Sequence, residues 1–128
     1  APAESKAPQP EKKDIPTGDI DDDFYKRFLA VFKAEISNSD LSVDKIASHM
    51  GLERSQFYRK IKALTNYAPV ELMRRLRLQQ GRTLLLTTDK TISEIAYDTG
   101  FSTPAYFTKC YRDAYGETPS EVRSKMSR

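Results

Sequence analysis

Histidine and cysteine are almost missing from this sequence, which has one of each, His49 and Cys110, and no tryptophan. One cysteine cannot form an intramolecular disulfide, which fits a reducing cytoplasm, so we expect a cytoplasmic protein. Two such residues are too few for a structural zinc site, and we expect no metal and no other cofactor. We interpret His49 as a surface or half-buried helix residue and Cys110 as a packing residue.

Signals for catalysis and for membrane insertion are also lacking. The sequence shows no Ser/His/Asp set, no paired carboxylates and no Gly-rich phosphate loop, so we expect no enzyme activity. No apolar run approaches the roughly 20 residues that cross a bilayer, and we expect no membrane contact by this domain. The polar, Pro-rich start lacks the apolar stretch of a signal peptide. Because the sequence does not begin with Met, we expect it to be part of a longer protein.

Charge and proline divide the chain into two parts. Residues 1–22 hold four of the seven prolines and predict a disordered interdomain linker, with a functional tail as the alternative. Residues 1–23 carry three lysines against seven acids, a net charge of −4, whereas residues 24–128 carry eighteen basic residues against eleven acids, a net charge of +7. A basic domain suits a polyanionic partner, although a soluble surface rich in lysine has the same composition.

Helical spacing of apolar residues, without the alternation typical of strands, predicts an all-α domain over residues 23–128. Thr91 and Glu94 form a capping-box pattern, Pro69 suits the first turn of a helix, and Gly51 suits the residue after a helix end. The predicted helices span about residues 23–37, 43–50, 54–65, 69–87, 92–99, 104–115 and 119–126.

An internal repeat is the strongest signal in the sequence. The segment at 46–52, Ile-Ala-Ser-His-Met-Gly-Leu, recurs at 95–101 as Ile-Ala-Tyr-Asp-Thr-Gly-Phe, and the pattern of the following helix recurs as well. Each copy has a helix, a turn with glycine and a second helix, which is the helix-turn-helix pattern. The predicted units span about 42–65 and 91–115, joined by a connecting helix over about 69–87; ordinary helical hairpins of a solenoid are the alternative.

The second helix of such a unit normally reads DNA, so its outward face decides the function. At about 100° per residue, each of these two helices turns an inward face to the core and a basic face outward. We expect Phe57, Ile61 and Leu64, and likewise Phe107, Tyr111 and Ala114, to face inward, and Ser55, Arg59, Lys62, Ala105, Lys109 and Arg112 to face outward, with Tyr58 and Thr108 at the edges. We expect no acid on either outward face, which favours contact with phosphates and bases.

The connecting helix predicts the spacing of the two units. Its 19 residues span roughly 28 Å, close to the ~34 Å between successive major grooves. Some of its arginines are expected to approach the DNA backbone, with a solvated helix face as the alternative: the four are Arg74, Arg75, Arg77 and Arg82.

Together these residues resemble the AraC/XylS family of bacterial transcription regulators over about residues 24–126. The most specific stretch comprises Arg77-Leu78, Gly81, Ile92, Ile95-Ala96, Gly100-Phe101, Phe107, Tyr111, Gly116 and Thr118-Pro119. The resemblance implies seven helices, arranged as two helix-turn-helix subdomains on a long helix, and binding to two adjacent major-groove segments of double-stranded DNA. It also implies RNA polymerase as a partner.

The resemblance further implies which residues contact DNA. Base-reading candidates are Ser55, Gln56, Tyr58, Arg59, Ala105, Tyr106, Thr108 and Lys109, and phosphate candidates are Arg54, Lys62 and Arg112. Arg59 is long and bidentate, which suits guanine. Because Pro104 and Ala105 offer little hydrogen bonding, we expect the second unit to read less sequence than the first.

A subgroup resemblance concerns the rest of the protein. The entry segment 21–24 and the run at 54–60 look like the output domain of hybrid two-component regulators, in which a sensor or receiver region precedes the domain. Family members with a sugar-binding N-terminal domain are the alternative. A different class of function also stays open, namely a helical protein-interaction module whose basic face docks an acidic protein.

Overall fold

The computed structural model describes residues 19–126, and within this range the chain forms seven α-helices and no strand. The helices are α1 (Asp19–Ala34), α2 (Val43–His49), α3 (Arg54–Thr65), α4 (Pro69–Thr87), α5 (Ile92–Asp98), α6 (Pro104–Tyr115) and α7 (Pro119–Met126). The predicted all-α fold is therefore confirmed. None of the described helices is long and apolar enough to cross a membrane.

Local capping signals account for the helix ends. The Ser42 hydroxyl accepts from the Lys45 amide at 3.2 Å, and Thr91 and Glu94 form the predicted capping box. Gly51 and Gly100 follow α2 and α5 with φ of 72° and 87°, the left-handed conformation that lets each unit turn.

The largest difference from the prediction is at α1, which begins four residues earlier than expected and ends at Ala34, before the predicted end at Ser37. Aspartates such as Asp22 and Asp23 near a helix amino end are favoured by the helix dipole, which extends the helix into the acidic segment. Of the expected linker, residues 1–18 lie outside the described residues.

Two hydrophobic clusters form the core, one in each half of the molecule. The first joins α1, α2 and α3 around Phe28, Phe32 and Phe57, and the second joins α5 and α6 around Phe107 and Tyr111. α4 contributes to both clusters and packs on α3, α5, α6 and α7. Each unit is thus built on its own core, and α4 is the shared support.

One stripe of α4 explains how this helix serves both units. Residues spaced four apart along it are all buried: Pro69, Met73, Arg77, Gly81 and Leu85. At Gly81 the close partner is Phe107, since a Cβ there would lie 2.8 Å from the Phe107 ring. This close approach seats α6 directly against the connecting helix.

Candidate nucleic-acid interface

The first reading helix, α3, is anchored by its inward face. Phe57 and Ile61 are fully buried, and the Phe57 ring packs 5.8 Å from that of Phe28 and 6.2 Å from that of Phe24 in α1. The opposite face is exposed and carries Ser55, Gln56, Tyr58, Arg59 and Lys62. Within residues 22–126, neither Arg59 nor Lys62 makes an ion pair, so two cations of this face are available to a ligand.

Gln56 has a local role that the sequence pattern did not reveal. Its Oε1 accepts a hydrogen bond from the Glu53 amide at 3.1 Å and closes a capping box at the start of α3. The side-chain carbonyl is therefore occupied, and the amide NH2 is the end that remains to donate to a partner.

Arg54, a phosphate candidate, lies at the amino end of α3 beside an acid from α2. Its guanidinium is 3.4 Å from the Asp44 carboxylate, and both side chains are 65% exposed. An exposed pair of this length is weak and screened by salt, so a phosphate can compete with Asp44 for Arg54.

The second reading helix, α6, is anchored in the same way. Phe107 and Tyr111 are fully buried, and their rings pack at 5.8 Å, while Phe107 also lies 5.2 Å from Phe101. Exposed on the other side are Ala105, Tyr106, Lys109 and Arg112, with Thr108 half-buried. Ala114, which was expected to face inward, is exposed, whereas Cys110 on the same helix is buried.

The expectation that no acid lies on either reading face is wrong at α6. The ammonium of Lys109 lies 3.1 Å from the Asp113 carboxylate, one turn further along the helix. Residues four apart are neighbours on a helix surface, so Asp113 reaches the basic face although it is not at its centre. The two faces therefore differ in free charge, since Arg59 at the matched position of α3 has no such partner between residues 22 and 126.

Both reading helices border one cleft of about 380 Å³. Arg54 lines it from the start of α3, Tyr106 lines it from the first turn of α6, and Met73 and Arg77 of α4 line it between them. We call this the central cleft. Because the first turns of α3 and α6 reach the same opening, they lie on the same side of the molecule.

The arginines of α4 divide into surface residues and one buried residue. Arg74 and Arg75 pair with Glu71, the latter at 3.0 Å, and Arg82 lies over the Tyr115 ring at 5.2 Å from the ring centre. Arg77 is only 8% exposed and bonds to backbone carbonyls, so a solvated or DNA-contacting Arg77 was a wrong expectation. The signal that identifies it is the stripe of residues four apart, in which Arg77 follows Met73 and precedes Gly81.

The two residues that the sequence analysis set aside are in ordinary positions. His49 is more than half exposed, 3.6 Å from Glu35 at the end of α1, and Cys110 is buried beside α4. Among the described residues, no three His, Cys, Asp or Glu side chains are grouped so as to hold a metal ion.

A comparison with protein families identifies the same helix-turn-helix architecture that the structure shows. A family model described as a helix-turn-helix domain matches residues 46–125. The chain is 32% identical over 114 residues to histidine kinase P4 of Formosa agariphila, covering 89% of this chain and 8% of that protein. It spans 26% to 40% of the length of several similar helix-turn-helix transcriptional regulators.

Solved structures share the architecture of this chain. A transcriptional regulator from Chromobacterium violaceum with an AraC-type DNA-binding domain is 33% identical, with a TM-score of 0.70 over 78% of this chain and 88% of that one. The DNA-binding domain of the global transcriptional factor AdpA, crystallised with a target DNA, is 25% identical, with a TM-score of 0.73 over 78% of this chain and 89% of that one.

Proposed function

This chain belongs to the AraC-type helix-turn-helix family of DNA-binding transcription regulators, and we propose that it is the output module of a two-component regulator that holds one face of a duplex through α3 and α6. The observation that carries the proposal is the pair of exposed basic faces on α3 and α6, two helices whose first turns both line the central cleft. α4 has 19 residues and is roughly 28 Å long, a length comparable with the distance of about 34 Å between successive major grooves.

The roles within the two faces follow from side-chain chemistry and exposure. Arg59 is exposed, unpaired within the described residues and able to donate two bonds to a guanine edge. Ser55, Tyr58 and the amide NH2 of Gln56 complete the reading set of α3. Ala105, Tyr106, Thr108 and Lys109 form the weaker set of α6, because Ala105 has no polar group and Lys109 is shared with Asp113.

The phosphate contacts are assigned to cations at the edges of these faces. Arg54, Lys62 and Arg112 are exposed and lie on the reading helices, where they suit phosphates beside each groove. Such contacts position the protein without specifying sequence. They also release counterions, so affinity falls steeply as salt rises.

The two-component role rests on the relative from Formosa agariphila, a histidine kinase whose alignment covers nearly all of this chain but a small part of that protein. In this proposal a sensor or receiver region of the same full-length protein precedes the chain and controls its access to DNA. The module acts in the cytoplasm and, once bound, contacts RNA polymerase.

The test selects duplexes from a random-sequence pool with the whole chain and maps protection on the selected DNA. We expect a footprint of about two helical turns. Arg59→Ala and Lys109→Ala are expected to weaken specific binding. The control is Lys33→Ala, on α1 in a groove between α1 and α4, and it should leave specific binding unchanged. Unchanged binding in both reading-helix variants, or preference for an acidic protein over any duplex, contradicts the proposal.

A further inference from the structure

Arg77 joins segments from both halves of the molecule. Its guanidinium donates to the carbonyl of Ile36 and, at 3.4 Å, to that of Asn38, both in the turn after α1. It also donates to the Thr99 carbonyl at 2.8 Å, at the end of α5. One side chain of the connecting helix therefore contacts the first and the second unit at the same time.

The partners of Arg77 are all neutral. Among the described residues no carboxylate pairs with it, and its guanidinium lies over the Phe32 ring at 5.1 Å from the ring centre. Burial lowers the pKa of Arg77, but an arginine keeps its charge near neutral pH. The planar guanidinium has five N–H donors and can bond to carbonyls in several directions at once. A lysine ammonium does not offer the same arrangement of donors. The site is therefore built on the geometry of the guanidinium rather than on charge pairing.

Gly100 makes room for this side chain. A Cβ at Gly100 would overlap the Arg77 guanidinium and the Ile36 carbonyl. Gly51, at the same position of the first unit's turn, has a similar positive φ but nothing within 4 Å of where a Cβ would be. Both units therefore have the same glycine turn, but only the turn of the second unit contacts Arg77.

Helix packing between the two units runs mainly through α4. α1 packs on α2, α2 on α3 and α3 on α4, while α5, α6 and α7 each pack on α4, α5 on α6 and α6 on α7. Between the two sets no pair of described helices packs extensively except through α4. The hydrogen bonds of Arg77 to the turn after α1 and to the end of α5 therefore link the two units directly.

We propose that Arg77, seated against Gly100, is a positioning residue that fixes the distance and angle between α3 and α6 and thereby selects one spacing between the two halves of the DNA site. The proposal rests on the proposed function for its DNA consequence. Without these hydrogen bonds, each unit keeps its core and its reading face, but the pair samples many arrangements. Binding then loses the preorganisation that lets two contacts act together.

The first test needs no DNA. In a Cys110→Ala background, spin labels at Ala63→Cys and Ala114→Cys, exposed positions on α3 and α6, report the distance between the reading helices. We expect a narrow distance distribution that broadens with Arg77→Met and stays narrow with the control Arg75→Met, a surface arginine of the same helix. An equally narrow distribution in Arg77→Met, in a folded protein, overturns the proposal.

The second test uses a duplex selected by the unmodified chain, with one to five base pairs inserted between its two protected segments. We expect the unmodified chain to lose affinity steeply with each insertion. Arg77→Met is expected to bind the original duplex roughly 10- to 100-fold more weakly and to depend little on spacing. A variant that is less stable but keeps the original spacing preference shows that Arg77 has only a structural role.

A second pair of variants covers the case in which Arg77→Met does not fold. Gly100→Ala keeps the arginine, but its Cβ displaces both the Arg77 guanidinium and the Ile36 carbonyl that accepts from it, whereas Gly51→Ala brings a similar backbone strain without a clash. We expect a broadened spin-label distance distribution, and an affinity that depends little on inserted base pairs, from Gly100→Ala but not from Gly51→Ala. The same result from both alanine variants attributes the effect to turn strain and overturns the role of Arg77. Failure of every duplex to bind, with distances that broaden as expected, refutes the DNA function and leaves the positioning role intact.

Discussion

The ammonium of Lys109 lies 3.1 Å from the carboxylate of Asp113 on the exposed basic side of α6. The matched cation of the first unit, Arg59, has no acidic neighbour of this kind among the described residues. The two predicted reading faces are therefore alike in pattern and unequal in free charge, and in the proposed complex DNA would compete with Asp113 for the lysine.

Asp113→Asn is expected to tighten binding to the selected duplex by up to about fivefold at low salt, because an exposed pair of this kind is worth only about 0.2–1 kcal/mol. The gain shrinks as salt rises, since screening weakens the competing acid. Fluorescence anisotropy across a salt series measures it. Asp98→Asn, which breaks the comparable surface pair with Lys90, serves as control and leaves affinity unchanged. Equal affinities for Asp113→Asn and the parent chain would show that Lys109 does not approach DNA.

Gly81→Ala is expected to destabilise the protein although alanine is the better helix former. The added Cβ would lie 2.8 Å from the buried Phe107 ring, and such overpacking costs about 1–3 kcal/mol, against a helix-propensity gain of about 1 kcal/mol. Urea unfolding followed by circular dichroism gives the change in the free energy of unfolding. Combining it with Phe107→Leu separates the clash from other effects, because the smaller side chain makes the alanine less costly. A stabilising Gly81→Ala would mean that α4 and α6 approach less closely.

Stability at acid pH is expected to depend on Glu121 in the first turn of α7. Its carboxylate accepts a hydrogen bond from the Thr118 amide at 2.8 Å. This bond, together with a weaker effect of the Thr118 hydroxyl, holds the pKa of Glu121 below its usual range. A carboxyl with a lowered pKa adds stability above its unfolded pKa of about 4.3, and that stability is lost as the pH falls through the folded value.

Glu121→Gln keeps a side chain that can accept the bond and removes the titration. The free energy of unfolding of this variant, compared with that of the parent, should fall less between about pH 5 and pH 3. Parallel curves for the two proteins over this range would refute the assignment. The difference between the curves isolates Glu121 from the other carboxyl groups that titrate in the same window.

Much of the fold was predictable because its signals are local. Pro69 and the Thr91–Glu94 pair define helix starts within one turn of themselves, and the positive φ of Gly51 follows from its place after a helix. These signals need no knowledge of tertiary contacts. They identified α2 to α7 within a residue of each end.

The exposed face of α3 in the candidate site was predictable for a similar reason. The burial of Arg77 was not, and it shows what helical periodicity cannot predict. Helical periodicity identifies Arg59 as exposed because Phe57 fixes the opposite face. It does not identify the burial of Arg77, whose carbonyl partners at Ile36 and Thr99 are distant in sequence and are brought together only by the packed units. The assignment of individual bases and phosphates remains a prediction.

The inequality of α3 and α6 would give the proposed complex with DNA a polarity. α3 presents Tyr58 and an Arg59 without an ion pair among the described residues, whereas α6 presents Thr108 and a lysine shared with Asp113. Turning the protein end over end on its site would exchange these two sets, so an asymmetric operator accepts the chain in one orientation only. The amino end of α1, at Asp19, would then always lie toward the same end of such an operator.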